Sequence, residues 1–336
     1  MSVYRIELTA QGALTQMPDS QKIFGALVYL LSETYGGEEA TELTKAVLLK
    51  KSHLALSNLM PLGYLPVPQD YVMDMLVPLG KTVKQEGEEK EEEGLKKKRK
   101  AVKERSYLRE AELKQLWKAP QECGTIFPYV EIQNQQLLRA SIESVRYGIP
   151  ELESKLYSVP TVALQAVFRG EKDKEKRPIK YFCFYLQAGE DSNADKLVSL
   201  LKRSAQEKRM IILGKRASQN LNTFVFKEAA EEKLPDARGD KFLNMGMLLP
   251  DKINFADSRL NLFTSERRPF QMDGGWNKNF KKQYISFIAE GSIIALAADM
   301  DTAKAGKSIP SPFESQRDIV FGNAFLYPLP QDEGRV

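Results

Sequence analysis

The sequence predicts an α+β fold. Three observations carry this reading: an N-terminal run of strict apolar–polar alternation, two stretches of helical period each set between strand-like runs, and a C-terminal third of short apolar runs broken by turn residues.

The run VYRIELT (3–9) places Tyr4, Ile6 and Leu8 on one face and Val3, Arg5, Glu7 and Thr9 on the other, as in a half-buried strand. In PDSQKIFGALVYLLSETYGG, Asp19 or Ser20 can cap a helix. Ile23, Phe24, Leu27, Leu30 and Leu31 form its apolar stripe, and Gly36-Gly37 ends it. The proline-punctuated MPLGYLPVPQ (60–69) reads as an ordered loop crossing a surface. Residues 84–105 alternate acidic and basic blocks with almost no apolar content and read as a solvated, partly disordered insertion. Lys96–Lys100 could touch nucleic acid, but the neighbouring acidic block would partly cancel their field, so the cluster does not by itself argue for it.

A short helix is predicted over 108–118, and residues 124–160 carry many polar side chains around Arg139, Arg146 and Tyr147. TVALQAVF (161–168) and IKYFCFYLQA (179–188) flank a charged turn and read as a hairpin. Ser192 or Asn193 can cap the next helix, in which Ala194, Leu197, Val198, Leu201 and Ala205 keep helical spacing. The strand TFVFKE (223–228) follows. Through residue 230 the order is β-α-(insertion)-β-β-α-β, the ferredoxin-like (RRM-like) order, with helices on one face of an antiparallel sheet. The insertion, roughly 120 residues, is too long to be loop throughout. Residues 231–336, with KFLNMGMLLP, QYISFIAEGSIIAL and RDIVFGNAFLYPL, read as a second, smaller, β-rich domain.

Composition narrows the chemistry. With 336 residues, 42% hydrophobic and 28% charged, the chain is ordinary globular protein, and at a net charge of +4 an anionic partner must be held by local clusters. Cys123 and Cys183 make no disulfide framework, which fits a reducing cytoplasm. The longest apolar runs, such as Ile23–Leu31, are too short for a membrane span, so no membrane partner is expected. A single histidine, His53, excludes a multi-histidine metal site and a two-histidine mechanism; it reads as structural. No metal or other cofactor is expected. AGKS (305–308) lacks the leading glycine of a phosphate-binding P-loop, since position 301 is Asp301. KYFCFYLQ has aromatics on both faces and reads as a buried strand, not as a base-stacking platform.

One segment points to a ligand. In IILGKRASQNLNTF (211–224), Gly214 ends an apolar run, and Lys215, Arg216 and a series of small and polar residues follow. Between the second helix and the last strand, a glycine allows close backbone approach, and exposed amides can meet phosphate oxygens. Lys215 and Arg216 add charge, while Ser218, Gln219, Asn220 and Asn222 offer hydrogen bonds to phosphate or sugar. The same residues would also suit a plain surface loop.

This helix–loop–strand with Gly-Lys-Arg resembles the glycine-rich loop of the CRISPR RAMP superfamily, the repeat-associated proteins of crRNA-guided complexes. SQKIFGALVYLLSETYG looks like the first helix of the type III-A (Csm) members that grip the 5′ end of the crRNA. LALSNLMPLGYLPVP is similar to their Ser…Pro…Leu-Pro-x-Pro segment, LLRASIESVRYGIPELESKLYSV to their arginine-containing hairpin, or thumb, and RDIVFGNAFLYPL to their C-terminal strand around a glycine. These pieces run in the family's order from Ser20 to Leu329. Asn220 and Asn222 stand where that family has glycines. The family's Ile-Asp/Asn-Arg becomes Ile142-Glu143-Ser144, so either Arg139 or Arg146 could do the thumb arginine's work.

The resemblance implies two ferredoxin-like RAMP domains, 1–230 and 231–336, the first carrying the thumb within 124–160. It implies a non-catalytic subunit that binds the repeat-derived 5′ tag of crRNA, caps the filament of backbone RAMP subunits and docks the large polymerase/nuclease subunit. Lys215, Arg216, Arg139 and Arg146 would contact phosphates around Gly214, with Ser218 and Asn220 beside them. Tyr147 would stack on or wedge between bases, and Lys22 would add charge at the first helix N-terminus. The alternative is a crRNA-processing endoribonuclease of the same superfamily, for which His53 is the candidate.

Overall fold

β1 (Ser2–Ala10) runs through the middle of the first sheet in the computed structural model, which describes residues 1–76, 88–141, 155–170, 173–235, 239–267, 283–296, 300–312 and 318–329. Ile6 and Leu8 are buried as the alternation predicts; Glu7, on the other face, is buried between Arg5 and Lys227. α1 (Ser20–Tyr35) is capped by Asp19, whose carboxylate accepts the Lys22 amide at 2.9 Å, and the predicted five-residue stripe is buried. Gly36, at φ 99°, ends it. A second helix that the double glycine hid, α2 (Gly37–Leu48), starts at once.

β2 (Leu54–Leu56), β3 (Met60–Pro61) and β4 (Leu65–Pro66) are short and wholly buried. The segment 60–69 is therefore an inner crossing and not a surface loop. Its prolines interrupt strand pairing while Met60, Tyr64, Leu65 and Val67 enter the core. α3 (Gln69–Leu76), α4 (Glu88–Glu104), β5 (Tyr107–Leu108), α5 (Glu110–Lys118) and a 3-10 turn (Pro120–Thr125) follow. Of the segment 84–105, expected to be solvated, residues 88–104 form α4, and Glu93, Lys96, Lys97, Arg99, Lys100 and Lys103 are exposed as expected, while its far end is anchored. Val102 is buried, and the wholly enclosed Arg105 donates to the carbonyls of Ala101 (2.7 Å), Gly124 (3.1 Å) and Ile126 (3.1 Å). Its guanidinium also lies 4.3 Å from the Tyr129 ring centre.

β6 (Tyr129–Ser141) and β7 (Lys155–Arg169) pair along their whole length as an antiparallel hairpin. The other neighbour of β7 is β8 (Lys174–Pro178), which corrects the predicted pairing of 161–168 with 179–188. β9 (Tyr181–Ala188) belongs to the first sheet, between β1 and β2. Pattern explains the exchange. β9 buries Phe182 and Phe184 on one face and Cys183 and Tyr185 on the other, which an interior strand satisfies, whereas the fully exposed, charged β8 suits an edge.

α6 (Ser192–Gln206) is capped by Asp191, one residue before the predicted caps; its carboxylate accepts the amides of Asn193 (3.1 Å) and Ala194 (3.0 Å). β10 (Met210–Ile212), a 3-10 turn (Ala217–Gln219) and β11 (Thr223–Glu231) complete a sheet of order β10-β11-β1-β9-β2, with β3 beside β9. β1, α1, β2, β9, α6 and β11 follow one another in the chain, with α2, β3, β10 and the elements of the insertion between them, and β2 stands where 161–168 was expected. A five-stranded sheet, β4-β5-β6-β7-β8, lies in the insertion.

The C-terminal region contains β12 (Lys241–Asn244), β13 (Asn254–Arg259), β14 (Leu262–Arg267), β15 (Gln283–Ile288), β16 (Ile293–Ala295), β17 (Ile309–Pro310), β18 (Ile319–Val320) and β19 (Leu326–Pro328). They form sheets β13-β16-β12-β19, β14-β15 and β17-β18. The main core runs on across residue 230: Phe321 stacks on Phe24 at 4.3 Å and Phe325 on Tyr185 at 5.3 Å. The architecture is α+β with antiparallel sheets. Among the described residues, no helix is long and apolar enough to cross a membrane.

Candidate nucleic-acid interface

Between β10 and β11 the chain arches outward from two buried anchors, Leu213 and Leu221. The Leu213 amide donates to the Asn222 carbonyl at 2.9 Å and closes the arch. A side chain at Gly214 would be strained at its φ of 152°, and a Cβ there would crowd the side-chain nitrogen of Asn222 at 2.9 Å. Beyond it, Lys215, Arg216, Ser218 and Asn220 are exposed. Among the described residues, no acceptor is found for the backbone amides of residues 214–218. Arg216, Asn220 and Asn222 adopt left-handed backbone, with φ of 65°, 57° and 56°. Both asparagines that replace the expected glycines thus occupy the conformation glycine would supply, which asparagine tolerates better than most residues.

Asn222 does not face a ligand. It is fully buried, and its side chain donates to the Lys215 carbonyl (2.8 Å) and Thr15 Oγ1 (2.9 Å) while accepting the Thr15 amide (2.9 Å). Its own amide donates to the Ala13 carbonyl at 3.0 Å. The turn after β1 is therefore the foundation of the loop. That turn also reaches the hairpin, since the Val162 amide of β7 donates to the Leu14 carbonyl at 2.8 Å.

The hairpin in turn reaches the loop. Arg139 on β6 donates to the Gln219 carbonyl at 3.1 Å, and the Gln219 side chain meets Tyr157 Oη on β7 at 3.4 Å and Arg216 Nη1 at 3.3 Å. Loop, turn and hairpin thus bring Arg139, Arg216, Lys215, Ser218 and Asn220 onto one surface, where cations sit beside unpaired amides. Such a surface can hold phosphate oxygens in a fixed register. Lys22 stands at the start of α1, seven residues beyond Thr15, and is ion-paired with Asp19. Arg146 and Tyr147 lie outside the described residues.

Sequence reasoning missed the contribution of residues 11–15 and of Tyr157. One signal was present: a Cβ on Gly12 would lie 1.8 Å from the Asn220 carbonyl oxygen, so only glycine fits against the loop. His53 is distant. Its carbonyl accepts the Gly189 amide at 2.8 Å just beyond the Ala188 end of β9, whereas the loop side meets the Tyr181 end, roughly 23 Å away along the strand. Among the described residues, no group of three histidine, cysteine or acidic side chains is placed to hold a metal.

No protein-family model and no curated protein matches the sequence. Solved structures do match. A chain in the crystal structure of the Csm3-Csm4 subcomplex in the type III-A CRISPR-Cas interference complex aligns with 98% of this chain and 100% of its own, at TM-score 0.56 and 14% identity. The chain carries the fold of a Csm-complex subunit. A chain in the Csm1-Csm4 cassette with cA4 aligns with 99% of this chain and 100% of its own at TM-score 0.54 and 16% identity. One in the cassette with AMPPNP gives the same coverage, 99% and 100%, at TM-score 0.54 and 19% identity. Csm4 is the component common to these three complexes.

Proposed function

We propose that this protein is a non-catalytic, RNA-binding subunit of a type III-A CRISPR effector complex. It binds the repeat-derived 5′ tag of crRNA, caps the filament of backbone RAMP subunits and docks the large polymerase/nuclease subunit in the cytoplasm. The observation that carries this reading is the bond from Arg139 to Gln219, which joins the hairpin cation to the Lys215–Arg216 loop in one exposed surface. The likeness in fold to chains of complexes containing Csm1, Csm3 and Csm4 supports the choice of assembly. In this reading residues 1–230 and 231–336 are two ferredoxin-like RAMP domains, and β6 and β7 are the stem of a thumb.

Phosphate contacts would supply most of the affinity and fix the register of the tag, as they do wherever a protein holds a nucleic-acid backbone without reading every base. The main-chain amides of 214–218 add donors that no side-chain substitution removes. The test is purification of the tagged protein from its native host, with sequencing of the RNA protected from nuclease. Guide RNAs that share one 5′ tag, recovered with backbone and large subunits, are the expected result. A protein that emerges alone and free of RNA overturns the assignment. Incubation with repeat RNA tests the non-catalytic role: a specific cut abolished by His53→Ala would make the chain a processing enzyme.

A further inference from the structure

We propose that α4 carries a second nucleic-acid contact, in which Lys96, Arg99, Lys100 and Lys103 hold a phosphate backbone independently of the Lys215–Arg216 loop. At 100° per residue these four positions fall within an arc of about 100° on one face of the helix, and all four are exposed. Half-buried Leu95 and buried Val102, which fix the helix to the protein, stand on the adjoining face, roughly 100° round from the centre of that arc. Lys98 donates to Gln121 at 2.8 Å, and Arg105 locks the end of the helix onto β6 through the Tyr129 ring.

The acidic block does not cancel this stripe once the segment is helical. Acidic positions 88–93 occupy the first turns, and Glu93 pairs with Lys97 at 3.0 Å. From there the helix rises about 9 Å to Arg99, about 10 Å to Lys100 and about 15 Å to Lys103, against a screening length of about 8 Å at physiological salt; Lys96, about 4.5 Å along, is the cation nearest the acidic block. Across 96–104 stand six cations and one carboxylate, Glu104, which is itself paired with Lys174 at 3.2 Å. Acids at the N-terminal end and bases at the C-terminal end also suit the helix dipole.

Composition selects the occupant. Protein interfaces place aromatic or aliphatic anchors at their centre, and no large hydrophobic side chain of α4 is exposed. A stripe of exposed cations without such an anchor matches a polyanion held by charge. It is also remote from the loop: Tyr129 and Arg139 are separated by roughly 33 Å along β6.

The test is fluorescence anisotropy of the full chain with an untagged homopolymeric single-stranded RNA across a salt series. The variant carries Lys96→Gln, Arg99→Gln, Lys100→Gln and Lys103→Gln, substitutions that keep high helix propensity, with circular dichroism as the check on folding. Binding at low salt should fall at least about tenfold, and the slope of log K against log salt should flatten by about 0.7 for each phosphate that α4 no longer neutralises. Placed in the Lys215→Ala, Arg216→Ala background, the four substitutions should still flatten the slope by the same amount, which separates the α4 contribution from that of the loop. A slope that the four substitutions leave unchanged in either background, or no binding by the parent chain at low salt, would overturn the proposal. So would a quadruple variant that keeps its RNA affinity and instead loses capture of an acidic protein.

Discussion

The side-chain amide of Asn222 donates to the carbonyl of Lys215 at 2.8 Å, and through this bond the exposed cations of the loop are tied to the turn that follows β1. Asn222→Ala removes the whole side-chain network and leaves an alanine in left-handed backbone. The expected cost is about 3 kcal/mol of folding stability, from unsatisfied buried donors and acceptors together with backbone strain. Urea denaturation reads the cost. Asn222→Gly should recover the strain but not the hydrogen bonds, so its midpoint should lie between those of the parent and the alanine variant.

Gly12 tests the same foundation from the other side. Its alanine variant would drive a methyl group to 1.8 Å from the Asn220 carbonyl, so the loop must move for the chain to fold. Gly12→Ala should leave the helical circular dichroism signal intact while reducing retention of RNA in the purified assembly. Retention equal to that of the parent would show that the loop does not need its present position.

Lys215→Ala combined with Arg216→Ala should weaken binding of tagged RNA and reduce its salt dependence, by about 0.7 in log–log slope for each phosphate no longer neutralised. Arg139→Ala should act in the same direction, because its guanidinium reaches the loop through the Gln219 carbonyl. Anisotropy with tagged RNA across a salt series measures both. A slope unchanged in the double variant would take these two cations out of the site.

Local pattern made part of this legible in the sequence. Alternation placed β1, helical spacing placed α1 and α6, and a glycine followed by two cations marked the loop. Pairing was less legible, because nothing local distinguishes a strand buried on both faces from one that returns in a hairpin; the pattern of β9 alone therefore pointed to the wrong partner. In the insertion, charge density pointed to solvated positions, and those of α4 are exposed; what it did not reveal is the single enclosed arginine, Arg105, which with three carbonyls and an aromatic ring around it fastens the end of α4. Asn222 looked like a ligand-facing polar residue, and only its burial shows that it holds the loop instead.

Glu290 supplies a prediction about pH. It lies between β15 and β16 and accepts hydrogen bonds from the Asn58 side chain and from Tyr107, while Asn58 also accepts the Ser20 amide at 2.8 Å and donates its own amide to the Met245 carbonyl at 2.6 Å. The first sheet, the insertion and the C-terminal strands therefore meet at this one carboxyl group. Burial pushes it from 4.5 up to about 7, against the opposing pull of the two donors. The folded state thus holds the proton more tightly than the unfolded chain. Its contribution to stability is complete below 4.5 and is lost as pH rises through about 7. Glu290→Gln keeps an oxygen acceptor in place and cannot ionise, so the variant should lose less stability than the parent across that window. Urea midpoints measured at a series of pH values decide the matter: a parent curve that falls more steeply than the variant's is the expected result, and parallel curves would mean that the carboxyl group ionises without affecting the fold.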